Sequence, residues 1–221
     1  MNRVPRQGLL PVDADAEEVC GFFGLEDEAC GRLRLYVEEL RHWNARMNLV
    51  APSTLEQVWQ RHVADGVQLL EHLPEEARQV IDLGSGSGVP GLVMALAAPE
   101  RARYVLVESS SRKCAFLRQV AQRAGVAVAV LPRRIETLDA AGLGVGPETV
   151  IVARALAPLA RMLDLAAPLF EAGAQAVLLK GRQAAAEVDA ARRHWDFRAD
   201  MVNSVTDAEG VIVKLREVRR V

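Results

Sequence analysis

The chain has 221 residues, a length that suits one compact α/β domain with a modest appendage. Half of the residues are hydrophobic and a quarter charged, an ordinary composition for a soluble fold, and aromatics are scarce at 5%, so aliphatic side chains must fill the core. The formal net charge of -2 excludes a basic whole-molecule field as the driver of nucleic-acid binding and leaves only a local patch for that purpose.

Residues 1–12 hold two prolines and a glycine and read as a flexible arm. Residues 13–75 read as a helical cap, in which Leu33, Val37, Leu40 and Trp43 recur every three to four positions. Ser53 or Thr54 is placed to cap a further helix through Val58, Trp59, His62 and Val63. Cysteines stand at 20, 30 and 114, an odd count without CxxC spacing, which predicts reduced thiols and a cytoplasmic protein. No apolar run reaches the ~18 residues of a membrane span, so no membrane partner is expected. The histidines and cysteines show no metal-ligand spacing, so no metal is expected either.

From residue 76 the pattern becomes α/β. Apolar runs at 80–83, 105–107, 126–131, 150–152 and 176–179 predict five buried strands, separated by helices over 91–98, 112–124, 159–170 and 184–195. Strand–helix alternation means a parallel sheet. The tail differs: 197–205, a turn, and 211–215 predict an antiparallel hairpin at one edge. Parallel strands closed by such a hairpin are the layout of a Rossmann-like class I methyltransferase sheet, here preceded by the helical cap. Pyridine-nucleotide domains carry a parallel sixth strand instead. One unit over 76–221, packed with its cap, is therefore expected.

The most informative segment is the run from Asp82 to Gly91, Asp-Leu-Gly-Ser-Gly-Ser-Gly-Val-Pro-Gly, between the first strand and the next helix. Glycines there let the backbone turn sharply and approach a ligand. Pro90 suits the first turn of that helix, and ligands of open α/β sheets lie outside the carboxyl ends of the strands. The run contains G-x-G-x-x-G, the mark of dinucleotide binding. An acid two residues before the first glycine instead suits the cationic amino-acid end of S-adenosylmethionine, which has no pyrophosphate. Glu108, at the end of the second strand, is placed for the ribose hydroxyls of either ligand. A tight βα turn without any ligand is the third possibility.

With these residues in view, the chain resembles the bacterial RsmG (GidB) family, whose members methylate N7 of a guanine in 16S ribosomal RNA. The resemblance rests on Trp43-Asn44 with Asn48-Leu49, Arg61-His62-x-x-Asp65, the loop ending in Pro90-Gly91, and Glu108-Ser109 followed by Arg112-Lys113 and Phe116-Leu117. Arg134-x-Glu136, Arg154-Ala155 and Lys180-Gly181 complete the series in order. Gly66 stands where the family often has serine. The resemblance implies S-adenosylmethionine as cofactor and 16S ribosomal RNA or the small-subunit particle as partner. Its cofactor contacts fall on Asp82, Gly84, Ser85, Gly86, Gly88 and Val89 of the loop, on Glu108 for the ribose, on Ile135 and Glu136 for the adenine, and on Arg154 to close the site. A monomer is expected.

The reaction so implied needs no general base, because guanine N7 bears a lone pair and no proton. Candidates for substrate positioning are Arg154 and Lys180, each at the carboxyl end of a strand, and Arg61 and His62 in the cap. Their alternatives are ion pairs for the first two and cap anchoring for the others. Arg112, Lys113, Arg118 and Arg123, with Arg133 and Arg134, form either a phosphate-contacting patch or a solvated face. Asn44 and Asn48 share a helix face and serve either the cap–core seam or the substrate. Transfer to another RNA, a protein or a small molecule, a non-catalytic ribosome-binding module, and a nicotinamide oxidoreductase are the competing functions.

Overall fold

Alternation along the central strands decides what each side of the sheet buries. In the computed structural model, which describes residues 8–221, Val80, Tyr104, Leu106, Val150 and Val152 face one apolar cluster, and Ile81, Leu83, Val105, Val107, Ile151 and Ala153 face another. Both faces are dry, so helices must cover both. The strands are β1 (Gln79–Leu83), β2 (Arg103–Val107), β3 (Val128–Leu131), β4 (Thr149–Arg154), β5 (Gln175–Lys180), β6 (Trp195–Asn203) and β7 (Val211–Arg220). They run β3-β2-β1-β4-β5-β7-β6 across a seven-stranded sheet, with β7 antiparallel to both β5 and β6. This is the expected parallel sheet with its terminal hairpin. The order reverses beside β1, so the crevice lies at the carboxyl ends of β1 and β4.

The cap begins with α1 (Ala16–Phe23), started by a capping box between Asp15 and Glu18, and α2 (Asp27–Met47). On α2 the residues Leu33, Tyr36, Val37, Leu40 and Asn44 are buried, while Arg34, Glu38 and Arg41 are exposed. Trp43, expected in this stripe, is half-buried and meets Phe116 edge-on at 5.9 Å. Asn44 accepts from the Val50 amide at 2.8 Å, and Asn48 ends the helix in the left-handed conformation, so both serve the helix terminus. The arm expected over 1–12 is tied down at Leu10, which is buried and donates its amide to Val205 O at 2.7 Å; residues 1–7 lie outside the described residues.

Four expectations are corrected. Cys20 and Cys30 form a disulfide between α1 and α2, with Cα atoms 6.1 Å apart, because a helical hairpin brings together positions that CxxC arithmetic treats as remote. The helix after the first cap pair, α3 (Pro52–Leu55), starts from Ala51 with Pro52 at its first turn, not from Ser53 or Thr54. A π-helical turn (Trp59–Ala64) and α4 (Asp65–Val67) follow it. Gly66 sits where a Cβ would meet Val93 at 2.6 Å, which accounts for glycine at this position. The covering helices of the sheet are α5 (Gly91–Ala97), α6 (Ser111–Arg123), the short α7 (Ala140–Leu143), α8 (Leu159–Leu165), α9 (Ala167–Glu171) and α10 (Ala184–Ala191). One helix was expected over 159–170. Pro168 in the first turn of α9 lacks the amide a continuous helix needs, so the segment splits. The helix expected to reach Trp195 stops at Ala191, and Trp195 opens β6 with its ring packed on Phe170.

Cap and hairpin are stitched together by Gln68. Its Oε1 accepts from Ser204 Oγ at 3.2 Å and from the Val205 amide at 3.1 Å, and its Nε2 donates to Thr206 Oγ1 at 3.1 Å. Gln60 adds a bond to Thr206 O at 2.8 Å. Replacing Gln68 by Ala strands buried donors and acceptors, so urea denaturation should show a loss of about 1–3 kcal/mol.

Candidate active site

The loop after β1 is held from three sides. Asp82 lies on the face of β1 that meets α5 and is fully buried; its Oδ2 accepts from the Gly91 amide at 3.1 Å. Its Oδ1 has no partner among the described residues. Burial pushes the carboxyl up to about 7, against the opposing pull of the Ser85 hydroxyl and the Gly91 amide. Ser85 donates its hydroxyl to Asp82 O at 3.2 Å and its amide to Val107 O at 2.9 Å. Gly88, at φ 92°, takes a left-handed turn that a side chain would strain. Val89, buried, precedes Pro90 through a cis peptide.

Glu108, just past β2, is also buried. Its Oε2 accepts from the Gly86 amide at 3.0 Å and its Oε1 from the Ser110 amide at 2.8 Å. A carboxylate offers about four acceptor positions, so two remain for sugar hydroxyls. From the cap, Tyr36 donates its hydroxyl to Ser87 O at 3.0 Å. Ile135 and Glu136 lie on the turn after β3; Ile135 packs against the core and the exposed Glu136 sits 3.9 Å from Arg134.

These residues fit S-adenosylmethionine. A buried carboxylate with one unpartnered oxygen suits a cationic amino-acid terminus, and the second carboxylate suits a ribose. Two acids flanking one loop repel a pyrophosphate, which disfavours the dinucleotide alternative.

Beside the loop, at the ends of β4 and β5, a cavity of about 490 Å³ opens between Arg154, Lys180, Arg61 and the turn joining β6 to β7. Arg154 was expected to close the cofactor site. Its guanidinium donates to the cap, to Arg61 O at 2.5 Å, Asp65 Oδ2 at 2.9 Å and His62 Nδ1 at 3.0 Å. A guanidinium only donates, so His62 Nδ1 accepts and Nε2–H faces Thr54 Oγ1 at 3.0 Å; Thr54 donates its hydroxyl to Ala51 O at 2.8 Å. Burial, then the charges of Arg154 and Arg61, bring the His62 pKa down to about 3, so the ring is neutral and anchors the cap. Burial raises the carboxyl of Asp65 against the pull of Arg154 and Thr206. Lys180 donates to Ala157 O and Glu187 Oε2, both at 2.8 Å, which pins the loop following β4. Arg61 alone of the four candidates presents a half-exposed side chain, paired with Asp207 at 3.0 Å.

Sequence reasoning missed Tyr36, Thr54, Glu187 and Asp207. Tyr36 hides in the apolar stripe of α2, Asp207 meets Arg61 from 146 positions away, and Thr54 and Glu187 meet His62 and Lys180 only across a turn of the backbone that helical or strand spacing does not reveal.

The sheet order, the loop and its two carboxylates define a Rossmann-like class I methyltransferase that uses S-adenosylmethionine. Known structures agree on the fold. The cofactor-bound protein Rv0187 from MTB superposes at a TM-score of 0.59 with 19% identity, over 96% of this chain and 99% of that one. The O-methyltransferase from Bacillus cereus in complex with SAH superposes at 0.52 with 14% identity, over 82% and 90%. The sequence is more specific. Residues 29–215 match the GidB family model, described as rRNA small subunit methyltransferase G. The Ribosomal RNA small subunit methyltransferase G of Paramagnetospirillum magneticum (strain ATCC 700264 / AMB-1) is 45% identical over 205 residues, 92% of this chain and 96% of that protein. The chain belongs to the rRNA small subunit methyltransferase G (GidB) family.

Three outcomes check the loop. A Cβ at residue 91 would lie 2.4 Å from Asp82 Cβ and 2.8 Å from Leu106, so Gly91→Ala should weaken S-adenosylhomocysteine binding at least tenfold in calorimetry. Asp82 has a raised carboxyl pKa in the folded, ligand-free chain, so it holds its proton below about 7 and ionises above it. Affinity for S-adenosylmethionine should therefore rise from pH 6 to pH 8, and Asp82→Asn should flatten that rise. The same sign means that ionising Asp82 costs folding stability as pH climbs from the ordinary carboxyl range to about 7, so ligand-free Asp82→Asn should lose less stability over that interval than the parent.

Proposed function

We propose that this chain transfers the methyl group of S-adenosylmethionine to N7 of one guanine in the 16S RNA of the small ribosomal subunit, acting as a cytoplasmic monomer. The observation that carries this reading is the adjacency of the two-acid cofactor loop to a polar cavity, in a chain of the small-subunit methyltransferase family. When bound, S-adenosylmethionine supplies a methyl carbon activated by a positively charged sulfur. Asp82 and Glu108 would grip its amino-acid and ribose ends, with Gly84, Ser85, Gly86, Gly88 and Val89 forming the cradle and Ile135 and Glu136 beside the adenine.

The remaining residues support alignment in preference to proton transfer. His62 is neutral and pinned on both ring nitrogens, Asp65 is held by Arg154, and Lys180 is held by Glu187. None is poised as a base, and N7 requires none. Holding two reactants near attack geometry contributes on the order of 7–11 kcal/mol. The phosphate-facing patch narrows to Arg112, Lys113, Arg133 and Arg134. Arg118 donates to Val130 O at 3.0 Å, and Arg123 pairs with the buried Glu39. A patch this small on a chain of net charge -2 matches a small footprint or an RNA already folded with ribosomal proteins.

Mapping N7-methylguanine in small-subunit RNA from cells with and without the gene tests the reading. One site should lose its methyl group on deletion and regain it with purified protein and cofactor. An unchanged map rules the reading out.

A further inference from the structure

The cavity at the ends of β4 and β5 has three charged pairs on its walls, and they are not equivalent. Arg154 with Asp65 is largely buried, as is Lys180 with Glu187, and each of these groups is committed to neighbours that shape the fold. Arg61 and Asp207 differ: their side chains are 40% and 41% exposed. Of Arg61, Nη1 bonds Asp207 Oδ2, while Asp207 Oδ1 accepts the Glu209 amide at 2.9 Å. Donors on the guanidinium and lone pairs on the carboxylate therefore remain available side by side. The Glu209 amide, then Arg61, hold the Asp207 carboxyl below its ordinary range, so it only accepts at neutral pH. On the far wall Leu156 lies against the cofactor loop, its Cδ1 2.9 Å from where a Cβ on Gly84 would stand.

A carboxylate beside a guanidinium offers acceptor, acceptor, donor. Among the four RNA bases, only guanine presents the complement on one edge, with the 2-amino group, N1–H and O6 in sequence. We propose that Asp207 and Arg61 read the Watson–Crick edge of the target guanine in this cavity, Asp207 accepting from N1–H and the 2-amino group and Arg61 donating to O6. This rests on the function proposed above and deepens it. Reading that edge leaves N7, on the adjoining Hoogsteen edge, free, and it requires the base to be unpaired when it enters.

The test is methyl transfer to small-subunit RNA carrying either guanosine or inosine at the target position; inosine lacks only the 2-amino group. The parent protein should favour guanosine by about tenfold or more. Asp207→Ala should bring that ratio close to one, and Asp207→Glu should restore part of it. Because the ratio is taken within one preparation, a misfolded fraction cancels. S-adenosylhomocysteine binding by Asp207→Ala should match the parent. A parent that accepts inosine as readily as guanosine, or an Asp207→Ala protein that keeps the full preference, overturns the assignment while the proposed function stands. A parent that methylates neither RNA overturns both.

Discussion

One guanidinium joins the cap to the sheet at the mouth of the cavity. Arg154 leaves the sheet at the carboxyl end of β4 and spends its donors on the cap: a main-chain carbonyl, a carboxylate and an imidazole. Asp65 then bonds Thr206 in the turn between β6 and β7, so three segments remote in sequence meet at one charge. Such a group is costly to bury and cheap to keep only while every partner is present. Removing one partner leaves a desolvated charge, which ties the integrity of the cavity wall to the seating of the cap.

The same logic governs the cofactor loop with the sign reversed. There a carboxylate is buried without a cation. Asp82 is held by one backbone amide, and its other oxygen is unsatisfied, an arrangement relieved by taking up a proton below about pH 7 or by a positively charged or strongly donating ligand. Glu108 is in contrast already anchored by amides of the loop and of the turn opening α6, one on each oxygen, so it sets the shape of the loop before any ligand arrives and keeps its remaining lone pairs for the sugar.

The parallel sheet and the terminal hairpin were legible in the sequence because buried parallel strands read as unbroken apolar runs, and the glycine loop was legible because its glycines cluster within ten residues; the order of the strands was not. The cap was less so. Its polar contacts, Tyr36 to Ser87 and Gln68 to Thr206, join residues 51 and 138 positions apart. Tyr36 sits among Leu33, Val37 and Leu40, where periodicity assigns it to the core and says nothing about its hydroxyl. Arg154 and Lys180 were correctly placed at strand ends, yet their partners lie in the cap and on α10, which spacing along the chain does not reveal. The disulfide escaped for the same reason, since Cys20 and Cys30 approach only once α1 and α2 fold back on each other.

The bond from Tyr36 to Ser87 ties α2 to the backbone of the loop. Whatever coupling free energy it carries between a partner on the cap and an occupant of the loop is the same in both directions. An RNA-facing surface on the cap and a nucleoside under the loop would in that sense report on each other, even though neither touches the other's residues.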